Sequence, residues 1–447
     1  MTSVGEGKNG ASDRVAVPLS RNRNYNILWS SQFFSEFAVE IALIAFPLLI
    51  LAHNGTPLMV GLAASLLAAL KMAAVVPAGL IADRWNRKKV MLFCQVGRAA
   101  AAGSVAVALA LGNYALWHIL LAIAVEGVLS SVFNPVEHAV LPRVVPEEQL
   151  STALARNAAR PFLAALVGPA IGGALFALHP AHPFLTNSVI LGVSLGALIM
   201  LRLPPRRAYA AGDEATDAQS ETDAPRSISQ DLAAGFRWVL GHSVIRATLV
   251  WVMFINFVFN ALIIIILATT QQAGLGADQA GLMMMCLGVG GVTGAICAPW
   301  LQARVPANLI IVGFPWALVV ATVGMTLAPK GIPLGILLGM TALLAPAATT
   351  TVLTYQLIVT PDGLRGRLSS LVAFCTGAAA ALGPAAGGML VTLTGYGPLS
   401  MAICAATLAV VALGTLLSRP LRRFPTLRYP MTQHSTEGSA DRILETS

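Results

Sequence analysis

Charged residues are scarce in this chain. Asp, Glu, Lys and Arg make up 11% of its 447 residues, whereas 56% are hydrophobic, far more apolar surface than a soluble globular domain needs. Cysteine is also scarce: the five cysteines all lie in apolar stretches, and their spacing fits no metal site. Residues 1–20 lack the apolar core of a cleavable signal, and no Walker loop occurs. We therefore expect no disulfides, metal, cofactor or direct use of ATP.

Long apolar runs are abundant instead. A bilayer-spanning helix needs about 20 apolar residues, and runs of that length recur along the whole chain. They do not alternate apolar and polar residues as a membrane barrel would. We predict an all-α membrane protein with twelve spans, numbered 1 to 12 at residues 24–52, 58–82, 90–111, 115–136, 151–178, 183–203, 243–272, 279–301, 307–328, 331–356, 369–395 and 397–418.

The net charge of +8 is distributed unevenly between the two sets of loops. Basic residues cluster in alternate loops, for example in 84–89 and 202–207, whereas the intervening loops hold only Lys330. This asymmetry puts basic loops in the cytoplasm and favours lipid headgroups over nucleic acid as partners. We expect a plasma (inner) membrane protein with both termini cytoplasmic, whose partners are membrane lipids, protons and a small-molecule substrate.

The spans divide into two sets of six. A polar, acidic linker separates the sets, and Ser227 and Gln230 within it resemble a capping box that opens an amphipathic stretch. The predicted organisation is an N-terminal tail, a first half, a linker with an amphipathic helix, a second half and a C-terminal tail, at residues 1–23, 24–203, 204–242, 243–418 and 419–447.

The two halves repeat. A G-P-x-x-G-G motif follows a proline by the same interval in spans 5 and 11, at an offset of 215 residues. The same offset places Gly294 opposite Gly79, so residues 294–304 read as a degenerate copy of the first basic loop. Such parallel repeats of six helices occur in transporters. The motif residues are Gly168, Pro169, Gly172 and Gly173 in span 5, and Gly383, Pro384, Gly387 and Gly388 in span 11.

The loop after span 2 carries the most specific motif. Residues 79–89 read G-L-I-A-D-R-W-N-R-K-K, which resembles the G-x-L-A-D-R-x-G-R-R signature of the major facilitator superfamily. The resemblance implies a gate that forms in one conformation and breaks in the other. Its predicted members are Gly79, which would allow close helix approach, and Asp83, Arg84, Arg87 and Lys88. Asn86 replaces a glycine and can adopt a left-handed backbone.

A second resemblance narrows the family. Phe133-Asn-Pro135, followed by the L-P-x-x-V-P-x-x-x-L stretch at 141–150, is similar to the drug-exporter branch that includes macrolide and siderophore exporters. Span 5 keeps the end of the antiporter motif, although Ala155 and Ala164 replace two of its glycines. This resemblance implies export of small molecules in exchange for protons.

Charged residues inside membrane spans are energetically unfavourable unless they are paired or hydrated. Glu36, Glu40 and Glu126 are the candidate proton-coupling residues, with Lys71 as their charge partner. Glu36 and Glu126 rank ahead of Glu40 because they share the predicted depth of Lys71. A static Glu–Lys pair that joins helices is the alternative. Arg98 and Arg160 are interpreted as snorkelling residues.

The second half offers no mid-membrane acid or base, so its walls would be neutral. Candidate cavity residues are Phe33, Phe37, Asn256, Asn260, Tyr355 and Gln356. Gly192 to Gly196 fits the G-x-S-x-G pattern of a nucleophile elbow, but it lies inside span 6 and lacks the strand–turn–helix context. We do not expect an enzyme.

The sequence thus predicts a monomeric secondary active transporter that exports an amphipathic, drug-like or siderophore-like molecule by proton antiport and alternating access. Two alternatives keep the fold: a lysophospholipid flippase and a nutrient importer. A third is a membrane sensor that binds its ligand without moving it.

Overall fold

The computed structural model describes residues 18–201, 241–328, 330–422 and 424. Throughout these residues the chain is helical, without strands. Twelve of the helices are long and apolar enough to cross a membrane, as the hydropathy pattern predicts. The predicted amphipathic stretch of the linker and most of both predicted tails lie outside the described residues.

The helices follow one another through short connections. We number them α1 to α13; α10 is a single span broken into two segments, and α13 is a short helix after the last span. A 3₁₀ turn at Leu19–Arg21 precedes α1. The bounds are α1 Arg23–Ala52, α2 Pro57–Arg84, α3 Arg87–Ala110, α4 Leu116–Val144, α5 Glu147–Leu178, α6 His182–Met200, α7 Ser243–Gln272, α8 Ala277–Arg304, α9 Ala307–Leu327, α10 Ile332–Leu343 and Ala345–Val359, α11 Asp362–Thr394, α12 Pro398–Leu417 and α13 Arg419–Arg422.

Polar side chains fix where the first three spans begin. Asn22, Thr56 and Asn86 each precede a helix, and each side-chain oxygen accepts a hydrogen bond from a backbone N–H of the first turn at 3.1–3.2 Å. Such N-caps satisfy donors that a helix end leaves unpaired. Asn86 has an extended backbone with φ −66° and ψ 109°, so this position does not use the left-handed conformation that asparagine tolerates. Asparagine suits this position as a cap.

The two halves repeat structurally, with an offset that changes along the chain. α1 and α2 begin and end 220 residues before α7 and α8, whereas α5 begins 215 residues before α11. Most of the change arises because α9 has 21 residues, whereas its counterpart α3 has 24. The connection from α9 to α10 is also shorter than the connection from α3 to α4. Pairing Gly79 with Gly294 was therefore wrong: Gly79 corresponds to Pro299, and Arg84 corresponds to Arg304.

The corrected offset relates polar residues of the two halves. Glu36 and Glu40 on α1 correspond to Asn256 and Asn260 on α7, so the second half keeps the polarity of this stripe without its charge. The offset of 220 residues also relates Asn54 to Gly274, and both residues have a left-handed backbone, with φ 59° and 72°. The repeat thus reaches into the loops.

The halves contact each other mainly through α2 against α11 and α5 against α8. Glycines allow the close approach: a Cβ on Gly281 of α8 would lie 3.0 Å from Gly173 Cα and 3.3 Å from Ala170 Cα on α5. On the other side the Ala385 N–H of α11 donates a hydrogen bond of 3.0 Å to Ser65 Oγ of α2. These contacts lie toward the helix ends whose loops are poor in basic residues.

The halves separate toward the opposite end, where the basic loops lie. A central cavity extends from Pro47 and Glu40 to Pro299, Gln302 and Thr350. Pro47 is buried, whereas the last three residues are exposed. The molecule is therefore closed at the end with few bases and open at the basic end.

Candidate functional site: a central cavity and two buried charge networks

The central cavity has a volume of about 940 Å³ and lies between the halves. Helices α1, α2, α5, α7, α8, α10 and α11 line it, with mostly aliphatic side chains. Its few polar side chains are Glu40, Lys71, Asn260, Gln302, Thr349 and Thr350. A large apolar cavity with few polar groups suits an organic ligand.

Glu40 and Lys71 are the charged side chains that line this cavity. Within the part of the chain that the structure describes, neither forms an ion pair within 4.0 Å or a hydrogen bond from its side chain. They lie near enough to interact electrostatically. Glu40 is held where α1 and α5 pack closely, because Gly168 leaves room for the Glu40 Cβ. Both charges are thus free to meet a ligand.

Glu126, by contrast, is fully engaged outside the cavity. Arg98 forms a bidentate ion pair with Glu126: Nη2 donates to Oε1 at 2.7 Å, and Nε donates to Oε2 at 2.9 Å. Arg98 also donates to Ser35 Oγ at 2.5 Å and to Gln95 Oε1 at 3.3 Å. This network joins α1, α3 and α4. Parallel contacts of this kind are strong and directional.

A second buried network surrounds Arg160 of α5. Its Nε donates a hydrogen bond of 3.1 Å to Glu36 Oε1, and its Nη1 lies 3.6 Å from Glu137 Oε1 of α4. Gln32 Nε2 donates to Glu137 Oε2 at 3.1 Å. Arg160 is therefore the shared basic partner of Glu36 and Glu137, and neither acid lines the cavity.

These two networks correct three sequence predictions. Arg98 and Arg160 are 1% and 2% exposed, so they do not snorkel to the surface. Lys71 forms no ion pair within 4.0 Å with Glu36 or Glu126, whose close partners are Arg160 and Arg98, although it still interacts electrostatically with Glu126. Glu137, which is fully buried, was not among the residues predicted from the sequence. The sequence did contain a clue to Glu137: it follows Glu126 by eleven residues, which is three helical turns, so both acids lie on the same face of the helix.

Most of the predicted cavity residues lie elsewhere. Asn260 lines the cavity as predicted, but Phe33, Phe37, Asn256, Tyr355 and Gln356 do not. Phe33 stacks on Trp29 and Phe37 along α1, because residues four apart share a helix face. Asn256 donates to Val252 O, Gln356 donates to Thr248 Oγ1, and Tyr355 packs on Phe424. Of these, Gln356 and Tyr355 join α10 to α7 and to Phe424, whereas the others make contacts within their own helix.

The bases of the predicted gate bind helix ends within the first half. Arg87 Nη1 donates to Ala139 O at 2.6 Å, and Lys88 Nζ donates to Ile199 O and Leu201 O at 2.8 and 2.7 Å. Arg84 is exposed, and the Asp83 side chain lies outside what the structure describes. No described residue lies within 4 Å of a Cβ added to Gly79, so none of the described helices approaches it closely in this conformation, contrary to the prediction.

The glycine motifs of α5 and α11 hold equivalent positions. Gly168 and Gly172 face α1 and Gly173 faces α8, whereas Gly383 and Gly387 face α7 and Gly388 faces α2. Each motif thus joins one helix of its own half to one helix of the other half. Close packing is the direct role of these glycines. The backbone carbonyls of Pro169 and Pro384 take part in the same interhelical contacts.

Two six-helix halves around a cavity that is closed at one end and open at the other define a membrane transport protein. The chain belongs to the Major Facilitator Superfamily, whose family signature matches residues 28–357. It is an integral, multi-pass membrane transporter and not an enzyme. The resemblance noted in the loop after α2 is thereby confirmed at the level of the family.

Individual relatives are distant. The chain is 26% identical over 356 residues to the uncharacterized MFS-type transporter YfiS of Bacillus subtilis, covering 77% of this chain and 80% of that protein. It is 26% identical over 173 residues to macrolide efflux protein A of Streptococcus pyogenes, covering 38% of this chain and 41% of that protein.

A solved structure shares the overall fold. The inward-facing, unoccupied structure of a bacterial homologue of the human lysosomal transporter Spinster aligns with a TM-score of 0.68 and 15% identity. The alignment covers 90% of this chain and 98% of that one. At this identity the likeness shows the fold alone.

Proposed function

We propose that this transporter exports an amphipathic organic molecule, drug-like or siderophore-like, in exchange for protons. The observation that carries the proposal is the carboxyl group of Glu40, which lies in a mostly apolar cavity without a hydrogen bond or close ion pair among the described residues. A charged group in such surroundings is unfavourable unless it binds something during the cycle. This placement supports a role for Glu40 in proton exchange.

The cavity suggests how cargo and proton would exchange. A protonated Glu40 is neutral and suits the apolar cavity when it holds no cargo. A polar or cationic group of the cargo would stabilise the ionised form and release the proton. Lys71 lies close enough to affect that balance. Glu40 therefore replaces Glu36 and Glu126 as the first candidate, because arginines hold both of those acids.

One feature supports the outward direction, namely the similarity to macrolide efflux protein A. The cavity opens toward the basic loops, which the positive-inside pattern assigns to the cytoplasm. An exporter would take up cargo from the cytoplasm in this conformation and release it after the halves rock to the alternative state, although an importer passes through the same inward-open state. We place the protein in the inner membrane as a monomer with both termini inside.

Everted membrane vesicles from cells that express the full chain test this function. The probes are a radiolabelled macrolide and a fluorescent amphipathic dye, and the vesicles are energised to make their lumen acidic. We expect both uptake above that of vesicles without the protein and abolition of uptake by a protonophore. Uptake that persists with the protonophore would contradict proton antiport and favour a uniporter or lipid flippase.

A further inference from the structure

The network around Arg160 has more acid than base. Glu36 on α1 and Glu137 on α4 both approach Arg160 on α5, at 3.1 and 3.6 Å. The Arg98–Glu126 pair, which is similarly buried, has one acid for one base. If both acids near Arg160 were ionised, this buried site would carry a net negative charge. Buried unpaired charge is strongly unfavourable.

The hydrogen bonds are also incomplete in a particular way. Among the described residues, Glu36 Oε2, Glu137 Oε1 and Gln32 Oε1 are buried acceptors without a hydrogen bond, whereas Arg160 Nη1 and the Tyr25 hydroxyl are the unpaired donors of the same network. Three unpaired acceptors thus face two unpaired donors, and a proton on either carboxyl group would supply one further donor. A protonated carboxyl group donates one hydrogen bond and keeps its acceptor capacity.

Other charged or titratable groups around the site do not supply that donor. His138 Nδ1 lies 3.9 Å from Glu137 Oε2, beyond hydrogen-bonding distance, and its side chain is 63% exposed. Arg156 of α5 is exposed and interacts electrostatically with Tyr25 of α1, whose hydroxyl is itself unpaired. Glu40, one turn from Glu36 on α1, interacts with it electrostatically and adds a further acid; the remaining close groups are Gln32 and Arg160.

We propose that Glu36 and Glu137 share one proton beside Arg160, forming a proton site separate from the cargo cavity. This inference deepens the proposed function and rests on it for the part that the proton plays in transport. Because all four side chains belong to the first half, the proton is held within one half while the cavity between the halves opens and closes. This proton is additional to the one that cargo displaces from Glu40.

Infrared spectroscopy of the purified, substrate-free full chain tests this site through the carbonyl stretch of protonated carboxylic acids. Glu40→Gln serves as the background, so that the cavity carboxyl group cannot contribute. Surface acids are ionised at neutral pH. We expect the Glu40→Gln protein to show a band equivalent to one protonated acid at neutral pH.

Adding Glu137→Gln should abolish this band, and adding Glu36→Gln should abolish it too, because the remaining acid then has Arg160 to itself. Glu126→Gln is the matched control and should leave the band unchanged. Size-exclusion chromatography verifies folding, and Glu36→Gln keeps the test valid if Glu137→Gln does not fold. Absence of the band in the background, or its persistence in both variants, would overturn the shared proton. The readout needs no transport, so failure of the export proposal would leave this result unaffected.

Discussion

Replacing Glu126 by Gln should destabilise the protein, whereas replacing Glu40 by Gln should not. Glu126 accepts three hydrogen bonds from Arg98, which is 1% exposed. Gln keeps the shape but leaves a buried guanidinium without its counter-charge. Breaking a buried ion pair costs about 3–5 kcal/mol. Ser35 and Gln95 still accept from Arg98, so we expect the lower end, about 3 kcal/mol.

Reversible unfolding of the full chain in mixed detergent micelles measures this difference. A double variant, Arg98→Met with Glu126→Leu, should recover most of the lost stability, because an apolar pair of similar volume often replaces a buried ion pair at little cost. Glu40→Gln is the control, with an expected change within about 0.5 kcal/mol because its carboxylate has no protein partner. Equal unfolding free energies for wild type and Glu126→Gln would refute the structural role given to Glu126.

Three further predictions concern topology, gating and packing. Cysteines introduced at Asn54 or Asn113 should react with an impermeant thiol reagent outside intact cells, and one at Ser220 should not; labelling at Ser220 would reverse the orientation. Asp83→Asn should insert normally but lose most macrolide uptake into everted vesicles, and normal uptake would reduce the loop to a lipid anchor. Gly281→Val should disfavour the present conformation by about 1–3 kcal/mol through overpacking, seen as less labelling of a cavity cysteine from the basic-loop side. Unchanged labelling would contradict that contact.

The fold followed from the sequence because membrane spans are set by length and hydropathy. Twelve apolar runs predicted twelve helices, since an isolated span must satisfy its own backbone hydrogen bonds. The repeat was also visible, but only at α5 and α11. A single offset failed for Gly79 because α9 is shorter than α3, and the sequence alone did not show where the difference falls.

The site was harder to predict because it depends on which helix faces which. Glu40, Lys71 and Asn260 do line the cavity. Arg98, however, was assigned to snorkelling although it lies eleven residues into α3, about 16 Å along the helix axis. That distance is more than a guanidinium can reach, so depth alone argued for a buried partner. Only the tertiary structure showed that Arg98, and not Lys71, is the ion-pair partner of Glu126.

Gradient-driven accumulation in proteoliposomes tests whether Glu40 couples transport to the proton gradient. Wild-type and Glu40→Gln proteins are reconstituted and given an imposed pH gradient, with a radiolabelled macrolide as probe and Thr349→Val as a neutral cavity control. We expect wild type and Thr349→Val to accumulate the probe, whereas Glu40→Gln should bind and exchange it without accumulation. Accumulation by Glu40→Gln at the wild-type level would contradict proton coupling through the cavity carboxylate.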